Sequence, residues 1–314
     1  MTRTGDSRPT PRIGPHPTRV TQRLDQRLRE RRPDLSWTRI RNAIARGQVS
    51  VDGDAVRDPG AAVAADAAVD FDPSRRGLPH ARLDLPRLYE DEEILIVDKP
   101  AGLLTVPTHA EAKRYEDTVL ARAQEYARHL HGRAAYAGVL HRLDRDTSGA
   151  LAIALTRDAH RRGRELFAAH AIERSYLAVV HGVPSPAQGT IDAAVSNAYV
   201  GGRRRVVSRA SQGRPAVTHY EVRESYGAAA LVELRLETGR QHQIRLHLQA
   251  LGHSLVGEKV YVGADQRISA PRQMLHAWRL RFPHPTRGTP VFAEAPRPAD
   301  MRKLISRLRA SRVP

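Results

Sequence analysis

The chain contains no cysteine in its 314 residues. Disulfides, thiolate nucleophiles and cysteine-ligated zinc or iron–sulfur sites are therefore excluded. Lysine is almost as scarce, present only at Lys99, Lys113, Lys259 and Lys303. No apolar run approaches the roughly 20 residues that cross a bilayer as a helix. The N-terminus carries Pro and Arg without the apolar segment of a secretory signal. The expectation is a cytoplasmic protein with no membrane partner. There is also no internal repeat and no glycine-rich phosphate loop.

What is present is a hydrophobic content of 40%, enough for a sizeable core, in a length that allows two domains or one with an appendage. The formal net charge is +17, nearly all of it from arginine. A genome biased toward Arg codons accounts for Arg over Lys but not for the excess over Asp and Glu. Charge of this size points to a polyanion, most often nucleic acid.

Residues 1–19 place Pro9, Pro11, Pro15 and Pro17 among Arg3, Arg8, Arg12 and Arg19, the composition of a disordered basic tail. The pattern changes near Val20. Gln22 to Arg29 reads as a helix, and Ser36 to Ile44 as a second with Ser36 as N-cap, ended by Gly47. Val49-Ser50-Val51 leads into an Asp52-Gly53 turn, and Ala67 to Phe71 is a further strand. Residues 20–72 resemble the S4 RNA-binding domain through Arg23-Leu24-Asp25, Arg39, Ile44, Gly47, Val49, Val51 and Gly53. In such an α/β module Arg39, Arg41 and Arg46 would meet phosphates, contacts that position a protein without reading sequence. Residues 73–87, rich in Pro, Arg and Gly, read as a linker.

Residues 88–314 form the larger domain. Ile94 to Val97 is a strand stopped by the turn Pro100-Ala101-Gly102. Further strands are expected at Ser175–His181, Val217–Arg223, Ala229–Glu237 and Met274–Phe282. Their partial alternation predicts a mixed, largely antiparallel sheet with one wetter face. Helices are expected at Ala159–Ala171, Gln241–Leu251 and Ala299–Arg309. The order is not a repeating βαβ, so the class is α+β.

Between the apolar runs Ala137–Leu140 and Ala150–Leu155 lies His141-Arg142-Leu143-Asp144-Arg145-Asp146-Thr147-Ser148-Gly149. A polar loop held by two buried strands is a natural place for chemistry; by composition alone a hairpin turn is the favoured reading. Three further segments combine with it: Arg174-Ser175-Tyr176-Leu177, Gly213-Arg214-Pro215-Ala216-Val217-Thr218-His219-Tyr220, and Thr238-Gly239-Arg240-Gln241-His242-Gln243-Ile244-Arg245, continuing through His253 and Gly257. Together with Lys99-Pro100-Ala101-Gly102, Leu275-His276-Ala277 and His284-Pro285, they resemble the RluA family of pseudouridine synthases from Leu88 onward. An S4-like segment is a common companion there.

The resemblance implies an RNA isomerase. The reaction breaks the uridine glycosidic bond, turns the base and rejoins it through C5, with no redox change. It calls for neither cofactor nor metal. Asp144 matches the catalytic aspartate, able to act as nucleophile or base; attack at C1′, addition at C6 and abstraction at C2′ all remain open. Arg245 matches the arginine that pairs with it, although its place in a helix alone would suggest a surface charge. Tyr176 matches the active-site tyrosine, and Arg142 the residue that fills the space of an extruded uridine. Asp146 is read as a loop residue that bonds local backbone. Arg203, Arg204 and Arg205, with Arg209, are weaker phosphate candidates. His242, His247 and His253 are spaced by five and six residues, off a common helical face, so a metal site is rejected. Arg174, Ser254 and Glu258 stand where the family usually has Lys, Pro and Asp, and none is expected to touch Asp144, Arg245 or Tyr176. The reading is a monomeric enzyme acting first on large-subunit ribosomal RNA, with transfer RNA next. A noncatalytic RNA-binding or ribosome-assembly factor is the alternative; a glycosidase, which needs a second acid, is third.

Overall fold

The computed structural model describes residues 21–45, 47–56, 58–73, 83–110, 116–132, 134–196, 205–207, 213–262 and 268–311. The basic tail, most of the linker, Arg46, Arg203, Arg204 and Arg209 lie outside the described residues. The chain divides into two compact units, Met1–Pro79 and His80–Pro314.

The first unit runs β1 (Thr21–Arg23), α1 (Leu24–Arg31), α2 (Trp37–Ala45), β2 (Val49–Val51), β3 (Asp54–Ala55), β4 (Ala62–Ala64) and β5 (Val69–Phe71). Leu24 and Leu28, and Ile40 and Ile44, fall four apart and share one helical face each; all four are buried with Val49 and Val63. The first helix begins at Leu24, later than the pattern predicts, because Thr21–Arg23 pairs antiparallel with Ala62–Ala64. Asp25 is buried and takes both Arg23 and Arg41. Burial pushes its carboxyl up, but the two guanidiniums hold it below the usual range.

The second unit contains β6 (Arg87–Glu90), β7 (Ile94–Lys99), α3 (Val119–His131), β8 (Gly138–Val139), β9 (Ser148–Ala154), α4 (Arg157–Ala168), β10 (Glu173–His181), β11 (Gln188–Asp192), β12 (Ala194–Ser196), β13 (Val206–Val207), β14 (Gly213–Arg214), β15 (Val217–Ser225), β16 (Ala229–Leu236), α5 (Gln243–Ala250), β17 (Leu275–Pro283), β18 (Pro290–Glu294) and α6 (Ala299–Ala310). A ten-stranded sheet has the order β11-β15-β16-β10-β17-β9-β7-β6, with β18 added on β17 and β8 on β9. Among the described residues one ladder of this sheet is parallel, β17 with β9; the others are antiparallel. The α+β class and the largely antiparallel sheet are as the sequence predicts.

The wetter face is not where the alternation put it. β10 and β16 are buried along nearly their whole length. Ala178, Val180, Val232 and Leu234 join the core that includes Ile244 and Leu248 of α5. Leu177, Val179 and Leu231 point the other way and meet Met301, Leu304, Ile305 and Leu308 of α6. A sheet covered on both faces loses its alternation. The helix α3 has no counterpart among the predicted elements. Its buried face is Val119, Ala123 and Ala127, and alanine gives little hydrophobic contrast, although Thr118 caps it through Ala121 N–H.

Candidate active site

The loop 141–149 joins β8 to β9, and its backbone is fixed from several directions. Thr105 Oγ1 donates to the Leu143 carbonyl at 2.8 Å and accepts from Leu143 N–H at 3.2 Å. Lys99, fully buried, donates to the carbonyls of Pro100, Leu103 and Arg145 at 2.7–2.9 Å. Burial draws this ammonium down to about 7, with Asp146 and Asp144 pulling the other way; the three carbonyls match the three N–H bonds of its protonated form. Arg272 holds the Asp146 carbonyl at 3.0 Å and is itself held by Asp300 of α6. Gly149 closes the loop at φ 113°, where a Cβ would stand 2.1 Å from the Ala277 carbonyl oxygen. Only glycine allows the loop to enter the sheet beside β17.

This frame turns Asp144 into a cleft of about 870 Å³ lined also by Arg142, Tyr176, His242 and Arg245. Arg245 Nη1 donates to Asp144 Oδ2 at 3.1 Å. Its other edge is bidentate to Glu258, Nε to Oε2 at 2.8 Å and Nη2 to Oε1 at 2.7 Å. Glu258 Oε1 also accepts from the backbone N–H of Lys259 and Val260. Burial works against both charges, yet the pair stays ionised: Arg245 is raised and Glu258 lowered by their mutual bonds. Gly257, at φ 79°, sets the turn that delivers Glu258; a Cβ there would lie 1.9 Å from the Arg272 carbonyl oxygen. On the opposite oxygen, His242 Nε2 faces Asp144 Oδ1 at 3.8 Å. His242 is the left-handed N-cap of α5, and its Nδ1 pairs with Tyr261 hydroxyl at 2.7 Å.

Tyr176 stands on β10 with its ring buried. Burial raises its hydroxyl, the Arg174 charge lowers it and the Asp144 charge raises it. His141 stacks on Phe167, centroids 5.0 Å apart, and its Nε2 accepts from Ala152 N–H. Burial, reinforced by Arg174, brings its imidazole down to about 3, so it is neutral near pH 7.

The structure thus gathers Asp144, Arg245, Tyr176 and Arg142 on one cleft. Arg142 is exposed at that wall. Arg39 and Arg41 are exposed on α2, with Arg41 over the Trp37 ring at 5.6 Å. Arg205 is exposed beside β13, outside the cleft lining. Asp146 is exposed, and its carbonyl accepts from Arg272. His247 bonds Thr218 and the Ala193 carbonyl, and His253 the His181 carbonyl; neither joins His242. Among the described residues no group of three or more His, Asp or Glu is arranged to hold a metal.

The helix α5 buries residues 243–248, so Arg245 meets Asp144 from within the fold and not from its surface. One expectation requires correction. Glu258 and Arg174 do not stand apart from the Asp144 set: Glu258 is the bidentate partner of Arg245, and Arg174 lines the same cleft, two residues before Tyr176. Lys99, His242 and Tyr261 were given no role at the Asp144 site from sequence. A buried Lys and a distant Tyr carry no periodic signal; the sole pointer was the Lys99-Pro100-Ala101-Gly102 run itself.

A cleft on a mixed sheet, lined by arginines and with one carboxylate clamped by a buried guanidinium, has the features of an enzyme site that accepts an anionic substrate. The RNA pseudouridylate synthase family model matches residues 93–250. Ribosomal large subunit pseudouridine synthase D of Zymomonas mobilis is 38% identical over 303 residues, covering 92% of this chain and 94% of that protein. Its namesake in Pseudomonas aeruginosa is 37% identical, with 93% of each chain covered. The solved human RNA Pseudouridylate Synthase Domain Containing 4 superposes with a TM-score of 0.59 at 26% identity, covering 71% of this chain and 92% of that one. The chain belongs to the RNA pseudouridine synthase family, and it isomerises uridine in RNA to pseudouridine. The reading as a noncatalytic factor is set aside.

Proposed function

We propose that the cleft around Asp144 is the active site, and that its substrate is a uridine of large-subunit ribosomal RNA. The observation that carries the site is the relay Asp144–Arg245–Glu258. Arg245 donates to one oxygen of Asp144 while a second, buried carboxylate compensates its charge. Asp144 is therefore held in one orientation, and its other oxygen is open to the cleft and to His242. A carboxylate so held attacks or deprotonates the nucleoside, and Arg245 steadies its charge as the glycosidic bond breaks. Tyr176 offers its ring face to the uracil, and Arg142 takes the space of the flipped base. The ribosomal assignment is supported by the relatives' names. The first unit is an S4-like RNA-binding domain: Arg39 and Arg41 are exposed side chains on one helix of a small α/β module. Arg46, Arg203, Arg204 and Arg205 would add phosphate contacts. The protein acts as a monomer in this reading, and ribosomal RNA would be met in the cytoplasm.

The test maps pseudouridine in cellular RNA with and without the gene, and with Asp144→Asn. One large-subunit uridine should lose modification in both altered strains. Modification that survives Asp144→Asn would remove Asp144 from the chemistry, and a lost site in transfer RNA would replace the substrate.

A further inference from the structure

Three arginines of the described chain are buried, Arg174, Arg245 and Arg272. Two of them have carboxylates: Arg245 has Glu258 and Asp144, and Arg272 has Asp300. Arg174 differs. Its residue is 8% exposed. Its Nη2 donates to the Glu237 carbonyl at a long 3.3 Å, and its Nε has no partner. Its guanidinium lies over the Phe167 ring, 5.6 Å from the centroid. No carboxylate pairs with it among the described residues. Burial accordingly pulls its proton affinity below the ordinary arginine value. A charge withdrawn from water and left without a counter-ion is costly, so the fold holds it there for something that arrives later.

The surroundings say what arrives. Arg174 lines the cleft of Asp144. The carboxylates of that lining are Asp144 and Asp146, against Arg142, Arg145, Arg164 and Arg240 besides the two buried guanidiniums. Arg164 lies one helical turn before Phe167 on α4. The turn at Gly239 is shaped around the guanidinium: a Cβ on Gly239 would stand 2.5 Å from Arg174 Nη1. An arginine fork at the wall of a cationic cleft suits the paired oxygens of a phosphodiester.

We propose that Arg174 binds an anionic phosphodiester oxygen of the RNA, on a phosphate that links the target uridine to one of its two neighbours. This rests on the Asp144 cleft being the active site. The uridine enters the cleft with its phosphate, and Arg174 fixes the sugar while the base is free to turn. Arg174 does not touch the reacting atoms; it is a positioning residue.

The experiment uses the full chain and a stem–loop RNA carrying the mapped uridine. A neutral methylphosphonate replaces the phosphate 5′ or 3′ of that uridine, and binding and turnover are measured separately. One of the two replacements should weaken binding by the wild type about tenfold. Arg174→Gln should lose a similar factor on the unmodified RNA, and the same methylphosphonate should then cost it nothing more. Its logarithmic salt slope should fall by about 0.7, one phosphate on a single strand. Arg174→Lys should recover most of the loss. Gly239→Ala, which crowds the guanidinium without removing its charge, should raise KM more than it lowers kcat. If neither methylphosphonate weakens wild-type binding, or if both proteins lose equally, the proposal is overturned. The wild-type measurement decides this even if Arg174→Gln does not fold. Because binding is read apart from turnover, failure here differs from failure of the Asp144 assignment, which appears as modification by Asp144→Asn.

Discussion

Arg245 and Arg174 occupy one cleft wall, both buried, with opposite electrostatic situations. Arg245 is satisfied internally by two carboxylates. Arg174 has a backbone carbonyl and an aromatic face. The contrast teaches that a buried charge has two uses. A paired charge fixes geometry, and its strength lies in the order it imposes on Asp144. An unpaired charge keeps a place for a counter-charge from outside. Glu258 marks the difference: it reaches Arg245 through the turn at Gly257, and among the described residues nothing acidic pairs with Arg174.

The largest expected effect breaks the satisfied corner at its reacting end. Asp144→Asn should lower kcat at least about a thousandfold, about 4 kcal/mol of transition-state stabilisation, with RNA affinity little changed; single-turnover assays measure it. Next comes Glu258→Gln, which leaves Arg245 with one partner at its buried edge. A cost of about 3–5 kcal/mol in denaturant unfolding is expected, with activity falling alongside. Glu258→Asp keeps the charge and should retain most of both. If Glu258→Gln unfolds like the wild type, the Arg245–Glu258 pair does not anchor the fold.

Acidification separates the two corners further. The Glu258 carboxyl is lowered in the folded chain, so the unfolded chain binds more protons as pH falls through the ordinary carboxylate range. Its stabilisation is present above that range and is lost below it. His141, down to about 3, and His276, down to about 4, have the same sign: the unfolded chain takes their protons below about 6.5, and the folded chain does not. Tm should therefore decline from about pH 6.5 and steepen below 4.5. A flat Tm between pH 7 and 4 would contradict these assignments. The smallest effect lies outside the cleft. Reversing Arg39 and Arg41 together to Glu should weaken RNA binding several-fold and reduce its salt dependence, without altering kcat on saturating RNA. An unchanged salt slope would remove this helix from the RNA contact.

Much of the site was legible because its chemistry lies in contiguous runs. The loop His141–Gly149 announces itself as polar residues between apolar strands. Asp144 and Arg245 follow from the motif pattern that surrounds each. What was not legible is what lies across the fold. Glu258 is 13 residues from Arg245, Arg272 is 126 residues from the Asp146 carbonyl it holds, and Lys99 is 46 from Arg145. Such pairs leave no periodic trace. The same holds for α3, whose buried alanines hardly differ from a solvated face, and for β18, where Pro290 reads as a loop residue although it begins an alternating edge strand.

The sequence by itself determined the α+β class, the positive charge and the absence of thiol chemistry, and its motifs pointed to Asp144, the carboxylate proposed to carry the reaction. These depend on composition, on short-range pattern and on motifs a few residues long. Only the tertiary structure decided which arginine is compensated and which is not. That depends on where the backbone turns at Gly239 and Gly257 place side chains distant in sequence, and on burial, which makes an unmatched charge matter.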